Sequence, residues 1–204
     1  MTGRCRLTVA GLAASALVAG GCGGAASRPP RTAATSTTAS AGVTLPPEAV
    51  SAEHVSRLEF PSASGRTLQQ LASTVHPGLQ LGLAISVLLP GQQRLAFGLV
   101  SSSNEFQYAK TAVYIAPAPN APAEGPFPAP LDPMIPSPPY LSKTVATDSR
   151  AVKGVYETTV PFPHPGHYAV LTVSKVGPTL IGATASVDVA ASSPIPNLGQ
   201  RPPL

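Results

Sequence analysis

Two histidines, His164 and His167, have the H-x-x-H spacing found in many metal sites. Imidazole is a common ligand of zinc and copper, but such sites need three or four ligands. The chain has few carboxylates and, after residue 22, no cysteine and a single methionine, Met134. The pair therefore indicates a candidate copper or zinc site. The alternative is two exposed histidines in a turn.

The chain has only two cysteines, Cys5 and Cys22, both near its start. Arg4 and Arg6 precede an apolar segment, 7–18, which is shorter than the roughly 20 residues of a membrane span. We therefore expect residues 1–21 to be a secretory signal peptide. No C-x-x-C occurs, so we expect this chain not to be a dithiol oxidoreductase itself.

The end of this segment, LVAGGC at 17–22, resembles the lipobox of bacterial lipoproteins. In that family the cysteine is acylated and becomes the first residue of the mature chain. The resemblance implies a lipid anchor at Cys22, a membrane partner and a location on the outer face of the cell membrane. The alternative is a plain signal peptide that is cut near the same place.

The composition excludes several classes of function. Charged residues are 11% of the 204-residue chain, against roughly 25% in an ordinary domain. The net charge of +4 forms no basic stripe, which argues against nucleic acid as a partner. The carboxylates are scattered, and neither a G-x-S-x-G nor a phosphate-binding glycine loop is present. We therefore expect no enzyme activity and no cofactor.

The chain divides into four parts by composition. A signal peptide (1–21) precedes a Ser/Thr/Ala/Pro-rich tether (22–64), whose last part, 43–64, could lie along the domain or stay loose. A β-sandwich is expected over 65–192, beginning with a short amphipathic helix at 67–75 that ends at His76-Pro77-Gly78. A Pro-rich linker (193–204) follows.

Period-two patterns predict the strands of this sandwich. Residues 83–89 and 95–99 read as a hairpin, followed by strands at 111–116, 155–160, 168–174 and 181–189. The strand at 168–174 is apolar on both faces and should be central, and 140–146 could be an edge strand. About seven short strands predict an all-β fold with an immunoglobulin-like arrangement.

The segment 116–140 is rich in proline, and we call it the Pro-rich segment. It cannot be a central strand, and we expect a long ordered loop or a polyproline-like excursion. Its apolar side chains could form a docking surface, or the segment could fold back over an open sheet face or edge. The candidate docking residues are Phe127, Leu131, Met134, Ile135 and Tyr140.

A short motif, Pro165-Gly166-x-Tyr168-x-Val170, resembles the penultimate strand of immunoglobulin-like domains. The resemblance implies that the Tyr168 hydroxyl binds the backbone of the preceding corner, a structural role. Val170 would stand where antibody domains have a cysteine, so apolar packing must replace the disulfide. Another Greek-key sandwich and a partly open barrel are the alternatives.

Longer segments resemble the N-terminal domain of a group of actinobacterial exported lipoproteins, in which a sandwich precedes a thioredoxin-like domain. They are LGLAISVLLPGQQRLAFGLV (81–100), TAVYIAPAPNAPAEGPFPAP (111–130), PFPHPGHYAVLTV (161–173) and SPIPNLGQRPP (193–203). The sequence stops at Leu204, where the thioredoxin-like part would begin, so the redox cysteines of that group have no counterparts here. The chain is then a naturally short member of the group, a fragment of a longer gene, or a subunit beside a separate redox partner.

This resemblance implies a lipid-anchored, non-catalytic interaction or spacer module at the outer face of the cell membrane. Its partner would be an extracytoplasmic thioredoxin-like protein or another surface protein. The alternative function is a surface lipoprotein that binds a small ligand or a metal through His164 and His167.

Overall fold

The computed structural model describes residues 44–140, 142, 150–196 and 199–201. Two short helices, α1 (Pro47–Ala52) and α2 (Leu68–Ala72), precede most of the strands, and 3₁₀ turns lie at Arg57–Glu59 and Pro138–Tyr140. The strands are β1 (His76–Pro77), β2 (Leu79–Leu83), β3 (Gly91–Ser101), β4 (Lys110–Ala116), β5 (Glu124–Ala129), β6 (Leu131–Pro133), β7 (Gly154–Phe162), β8 (Gly166–Val176) and β9 (Thr179–Val189).

The nine described strands form two sheets. One has the order β1-β9-β8-β4-β5 and the other the order β2-β3-β7-β6. All neighbouring strands are antiparallel except β1 and β9, which are parallel. The prediction of an all-β, two-sheet fold is confirmed, and β8 is central, as its apolar sequence predicted.

The main core lies between the two sheets. The inward residues of β3 and β8 alternate with outward ones, as the pleat of a strand requires. Phe97 stacks on Tyr156 with ring centroids 5.3 Å apart, and Phe162 meets Tyr168 edge-on at 5.0 Å. The first pair joins neighbouring strands of one sheet, β3 and β7, and the second joins β7 to β8 of the other sheet across the core.

A second apolar layer covers the outer face of the five-stranded sheet. Leu68 and Leu71 of α2 pack there with Phe60 against Leu171 of β8, and all four are buried. Thr67 caps α2, because its hydroxyl accepts a hydrogen bond from the Gln70 backbone while the Gln70 side chain accepts one from Thr67. β8 is therefore apolar on both faces because both are covered.

The end of the predicted tether belongs to the packed structure. Ala49 and Ala52 of α1 are fully buried in the main core, and Phe60 lies under the second layer. The composition of 44–64 concealed this because small alanines, rather than large apolar residues, make the contact. The packed structure therefore includes residues 44–64, which the sequence analysis assigned to the end of the tether.

The predicted hairpin has the right partners but the wrong first strand. β2 ends at Leu83, which pairs with Phe97 of β3, so most of 83–89 is not in a strand. Leu88 instead bridges Val189 at the end of β9. The predicted helix at 67–75 does end before His76, as α2 stops at Ala72, and His76 and Pro77 then form β1, which pairs in parallel with β9.

The Pro-rich segment is not a continuous loop. It contains β5 and β6, each at the edge of a different sheet, so the chain changes sheets at Pro130. Edge strands tolerate proline because the missing N–H belongs to the unpaired side. Of the edge strand predicted at 140–146, Tyr140 is in a 3₁₀ turn, and 141 and 143–146 lie outside the described residues.

Candidate functional site

The two ends of the sandwich differ in what closes them. β8 and β9 pair along their whole length, so the turn at Gly177 and the end of β9 at Val189 lie at opposite ends. The end with Gly177, the connection 102–109 and α1 is here called the loop pole. The end with the corner 163–166 is called the corner pole.

The histidine pair lies at the corner pole and is exposed. His164 stands in the corner, and His167 is in β8, where its Nδ1 lies 2.9 Å from Oδ1 of Asp188 in β9. Among the residues that the structure describes, no group of three or more His, Cys, Asp or Glu side chains could hold a metal ion. Within that part of the chain, the pair has Asp188 as a neighbour but no assembled metal site.

Tyr168 holds this corner together. Its hydroxyl donates to the carbonyl oxygen of His164 at 3.1 Å and accepts from the His164 N–H at 3.3 Å. The ring is buried against Phe162. The side chain thus connects β8 to the backbone four residues before it, as the tyrosine-corner motif implies.

A groove of the described structure lies at the loop pole. It has a volume of about 620 Å³. The groove carries two aromatic, two acidic and two basic side chains: Phe106, Tyr108, Glu48, Glu105, Arg150 and Lys153. These residues come from α1, the 102–109 connection and the chain that leads into β7. Such a mixed surface suits contact with another surface more than enclosure of a small molecule.

Hydrogen bonds fix the walls of this groove. The Tyr108 hydroxyl accepts from the Lys153 N–H at 2.9 Å, and burial raises the pKa of this tyrosine, so it stays protonated at neutral pH. Beside the groove, Lys110 Nζ lies 2.9 Å from Oε1 of Glu59, and this hydrogen bond lowers the pKa of the Glu59 carboxyl. The ion pair attaches the 3₁₀ turn to the start of β4.

A buried tyrosine, Tyr156, also stabilises the loop pole. The Tyr156 hydroxyl accepts from the Ala109 N–H at 2.7 Å and lies 2.9 Å from the Ala109 carbonyl oxygen. Burial raises its pKa to about 12, so it is a neutral donor and acceptor at physiological pH. Tyr156 therefore holds the end of the 102–109 connection on β7.

The structure separates the five candidate docking residues. Leu131 is buried in the main core, and Phe127 is half-buried and packs against it. Ile135 is half-buried, whereas Met134 and Tyr140 are exposed. Leu131 and Phe127 are thus structural, and the candidate docking surface is reduced to the end of the Pro-rich segment.

The predicted lipid-anchor residue, Cys22, and the signal peptide lie outside the described residues. Over the residues that are described, no helix has the length and apolar character to cross a membrane. Thr44, Pro46 and Glu48 line the loop-pole groove, so this part of the chain lies at the loop pole.

Sequence reasoning missed the groove because its walls come from distant parts of the chain. Residues 44–48, 105–108 and 150–153 have no common motif. The available signal was topological, since the connections between strands of a sandwich gather at its two ends.

A scan against protein-family models and a search of curated proteins found no match to this chain.

Proposed function

We propose that this chain is a non-catalytic, immunoglobulin-like module, anchored through acylated Cys22, that acts as a spacer for a thioredoxin-like partner. The observation that carries the proposal is that Thr44 lies at the loop pole, whereas Val189, at the end of β9, lies at the corner pole. The 11 residues of β9 run between the poles and span about 33 Å.

The strand order supports the immunoglobulin-like part of the proposal. If β3, β4, β7, β8 and β9 are named B, C, E, F and G, the two sheets read A-B-E-D and G-F-C-C′. The short β1 lies parallel to β9, next to G. These are the neighbours that an immunoglobulin-like Greek key requires.

Two side chains of β8 also support this arrangement. Tyr168 makes the corner contact, and Val170 is fully buried in the main core at the place of the missing disulfide cysteine. Apolar burial contributes roughly 1.5–3 kcal/mol for such a side chain. The core can therefore be stable without a covalent link between the sheets.

The partner class follows from the resemblance and from the cysteine positions. With Cys5 in the signal peptide and Cys22 acylated, residues 23–204 carry no thiol. The proposed role of the sandwich is therefore to position a thioredoxin-like partner that carries out the thiol–disulfide chemistry. With Thr44 and Val189 at opposite poles, the sandwich separates that partner from the lipid by its own length.

The two cysteines offer a matched test of the anchor. Cells fed a clickable palmitate analogue should label the wild-type chain and the Cys5→Ser variant. Cys22→Ser should lose the label and appear in the soluble fraction. Label retained by Cys22→Ser, or a wild-type chain that is never labelled, would refute the anchor.

The spacer role is tested by photo-crosslinking from the two poles. A crosslinker at Ala191, exposed just after β9, should capture a protein with a C-x-x-C motif, identified by mass spectrometry. The same group at Val50, exposed at the loop pole, should not capture it. Equal capture from both positions would contradict a partner located at the corner pole.

A further inference from the structure

The exposed large apolar side chains of the described residues are not evenly distributed. There are seven: Val50, Leu58, Met134, Tyr140, Val152, Val176 and Ile195. Val50 in α1 and Val176 at the end of β8 lie at the loop pole. β6 ends and β7 begins at that pole, with Met134 and Val152 close to these two strand ends, and Tyr140 follows Met134 in the connection between the strands.

Hydrogen bonds and ion pairs hold this set in place. The Met134 N–H donates to the Lys153 carbonyl oxygen at 2.9 Å, which joins the two ends of the excursion. Leu58 precedes Glu59, which pairs with Lys110 at the start of β4, so Leu58 lies beside the same pole. Of the seven, only Ile195 follows β9 and lies beyond the corner pole.

Because the exposed apolar side chains of the loop pole belong to several elements, they suggest a broad, flat contact surface. Soluble monomers seldom expose many large apolar side chains together, and such patches mark protein or membrane contacts. Met134 is 57% exposed and Tyr140 is 82% exposed, whereas Tyr114, Tyr156 and Tyr168 are buried. Tyrosine is favoured at membrane interfaces because its ring is apolar and its hydroxyl is polar.

The position of the tether identifies the surface that this pole meets. About 22 residues separate Cys22 from Thr44. A flexible chain of that length spans about 25 Å on average, and even when fully extended it reaches only about 75 Å. An acylated Cys22 would therefore keep the loop pole near the lipid headgroups, where weak apolar contacts become effective.

Charge at the pole is mixed. Arg150, Lys153 and Lys175 stand against Glu48 and Glu105, and Lys110 is paired with Glu59, which leaves an excess of one positive charge. Attraction to anionic lipids therefore contributes little net energy, and apolar insertion must supply most of the contact. The contact should consequently depend only weakly on salt.

We propose that the loop pole lies on the lipid surface, with Val50, Met134 and Tyr140 at the level of the headgroups. This inference rests on the lipid anchor proposed above. It adds an orientation to that anchor: the groove and the apolar side chains face the membrane, and the corner pole faces away from it. The sandwich then stands upright, and its partner is held at the far end.

The absence of tryptophan from the chain allows a direct test. Met134→Trp places a fluorophore at the loop pole, and Ala191→Trp places the matched control after β9. The acylated full chain is reconstituted in vesicles of phosphatidylcholine and phosphatidylglycerol (3:1) with brominated acyl chains. The probe at position 134 should shift to the blue and lose most of its emission, while the probe at 191 should do neither.

Equal emission from both probes, quenched by acrylamide in water and not by bromine, would overturn the orientation. The same variants with Cys22→Ser, mixed with the vesicles at high lipid concentration, separate this failure from failure of the anchor. If only the anchor is wrong, the unacylated chain still shows quenching at position 134. If only the orientation is wrong, the acylated chain floats with the vesicles but its probe at 134 stays in water.

Charged substitutions give a second, independent readout. The combination Val50→Glu, Met134→Glu and Tyr140→Glu should reduce vesicle binding of the unacylated chain roughly tenfold or more, since it replaces apolar contacts with carboxylates. Thr184→Glu on the exposed face of β9 is the control and should leave binding unchanged. Binding that survives the triple change, with an unaltered thermal transition, would refute apolar insertion.

Discussion

The two poles of the sandwich are closed by contacts of very different range along the chain. At the corner pole, the Tyr168 hydroxyl binds the backbone of His164, only four residues away. At the loop pole, Ala49 and Ala52 of α1 cover the core although α1 precedes all the strands. The Tyr156 hydroxyl there binds the backbone of Ala109, 47 residues earlier. The corner can therefore form locally, whereas the loop pole needs the whole fold.

The largest expected effect tests the sealing of the loop pole by α1. Ala49→Asp would bury an uncompensated carboxylate and should cost roughly 3 kcal/mol or more. Its neighbour Val50 is 48% exposed, so Val50→Asp should change the free energy of unfolding by less than about 0.5 kcal/mol. Urea unfolding of the two variants decides the point. Equal losses would show that α1 does not seal the core.

A pair of hydroxyl deletions compares the poles directly. Tyr156→Phe should cost about 2 kcal/mol, because the buried N–H and carbonyl of Ala109 lose their partner. Tyr168→Phe should cost about 1 kcal/mol or less, since the backbone of the exposed corner can bind water instead. Thermal unfolding of both variants measures the difference. A larger loss for Tyr168→Phe would reverse the comparison.

The smallest expected effect is a change in the free energy of unfolding at low pH. The pKa of Glu59 is lowered in the folded protein, so its pairing with Lys110 stabilises the fold above the ordinary value of 4.5 and is lost as pH falls below it. Because the pair is partly exposed, the contribution should be at most about 1 kcal/mol. Glu59→Gln should lose stability at pH 7 and show a flatter decline below pH 4.5. A parallel decline would assign the acid sensitivity to other groups.

Strands with a clear period of two were predictable because burial on one or both faces is encoded in neighbouring residues. β4, β8 and β9 lie where their alternation predicted, and α2 begins after its capping threonine. β5 and β6 were missed because proline argues against strands in general. Only their positions at sheet edges make proline acceptable there.

The candidate site was less predictable than the fold. The histidine pair is visible in the sequence because its spacing is local, but a third ligand could come only from the fold. The loop-pole groove has no sequence signal because its lining residues lie up to 132 positions apart, from Thr44 to Val176. The exposed apolar residues of that pole are likewise scattered along the chain.

The sequence by itself determined the all-β class, the central position of β8, the lipobox-like cysteine and the lack of thiols after it. These properties depend on residue type and on near neighbours. Only the tertiary structure decided that small alanines of α1 close the core, that the Pro-rich segment provides one edge strand to each sheet, and that Thr44 and Val189 lie at opposite poles. Each of these follows from contacts between distant residues, whose geometry arises only when the two sheets pack together.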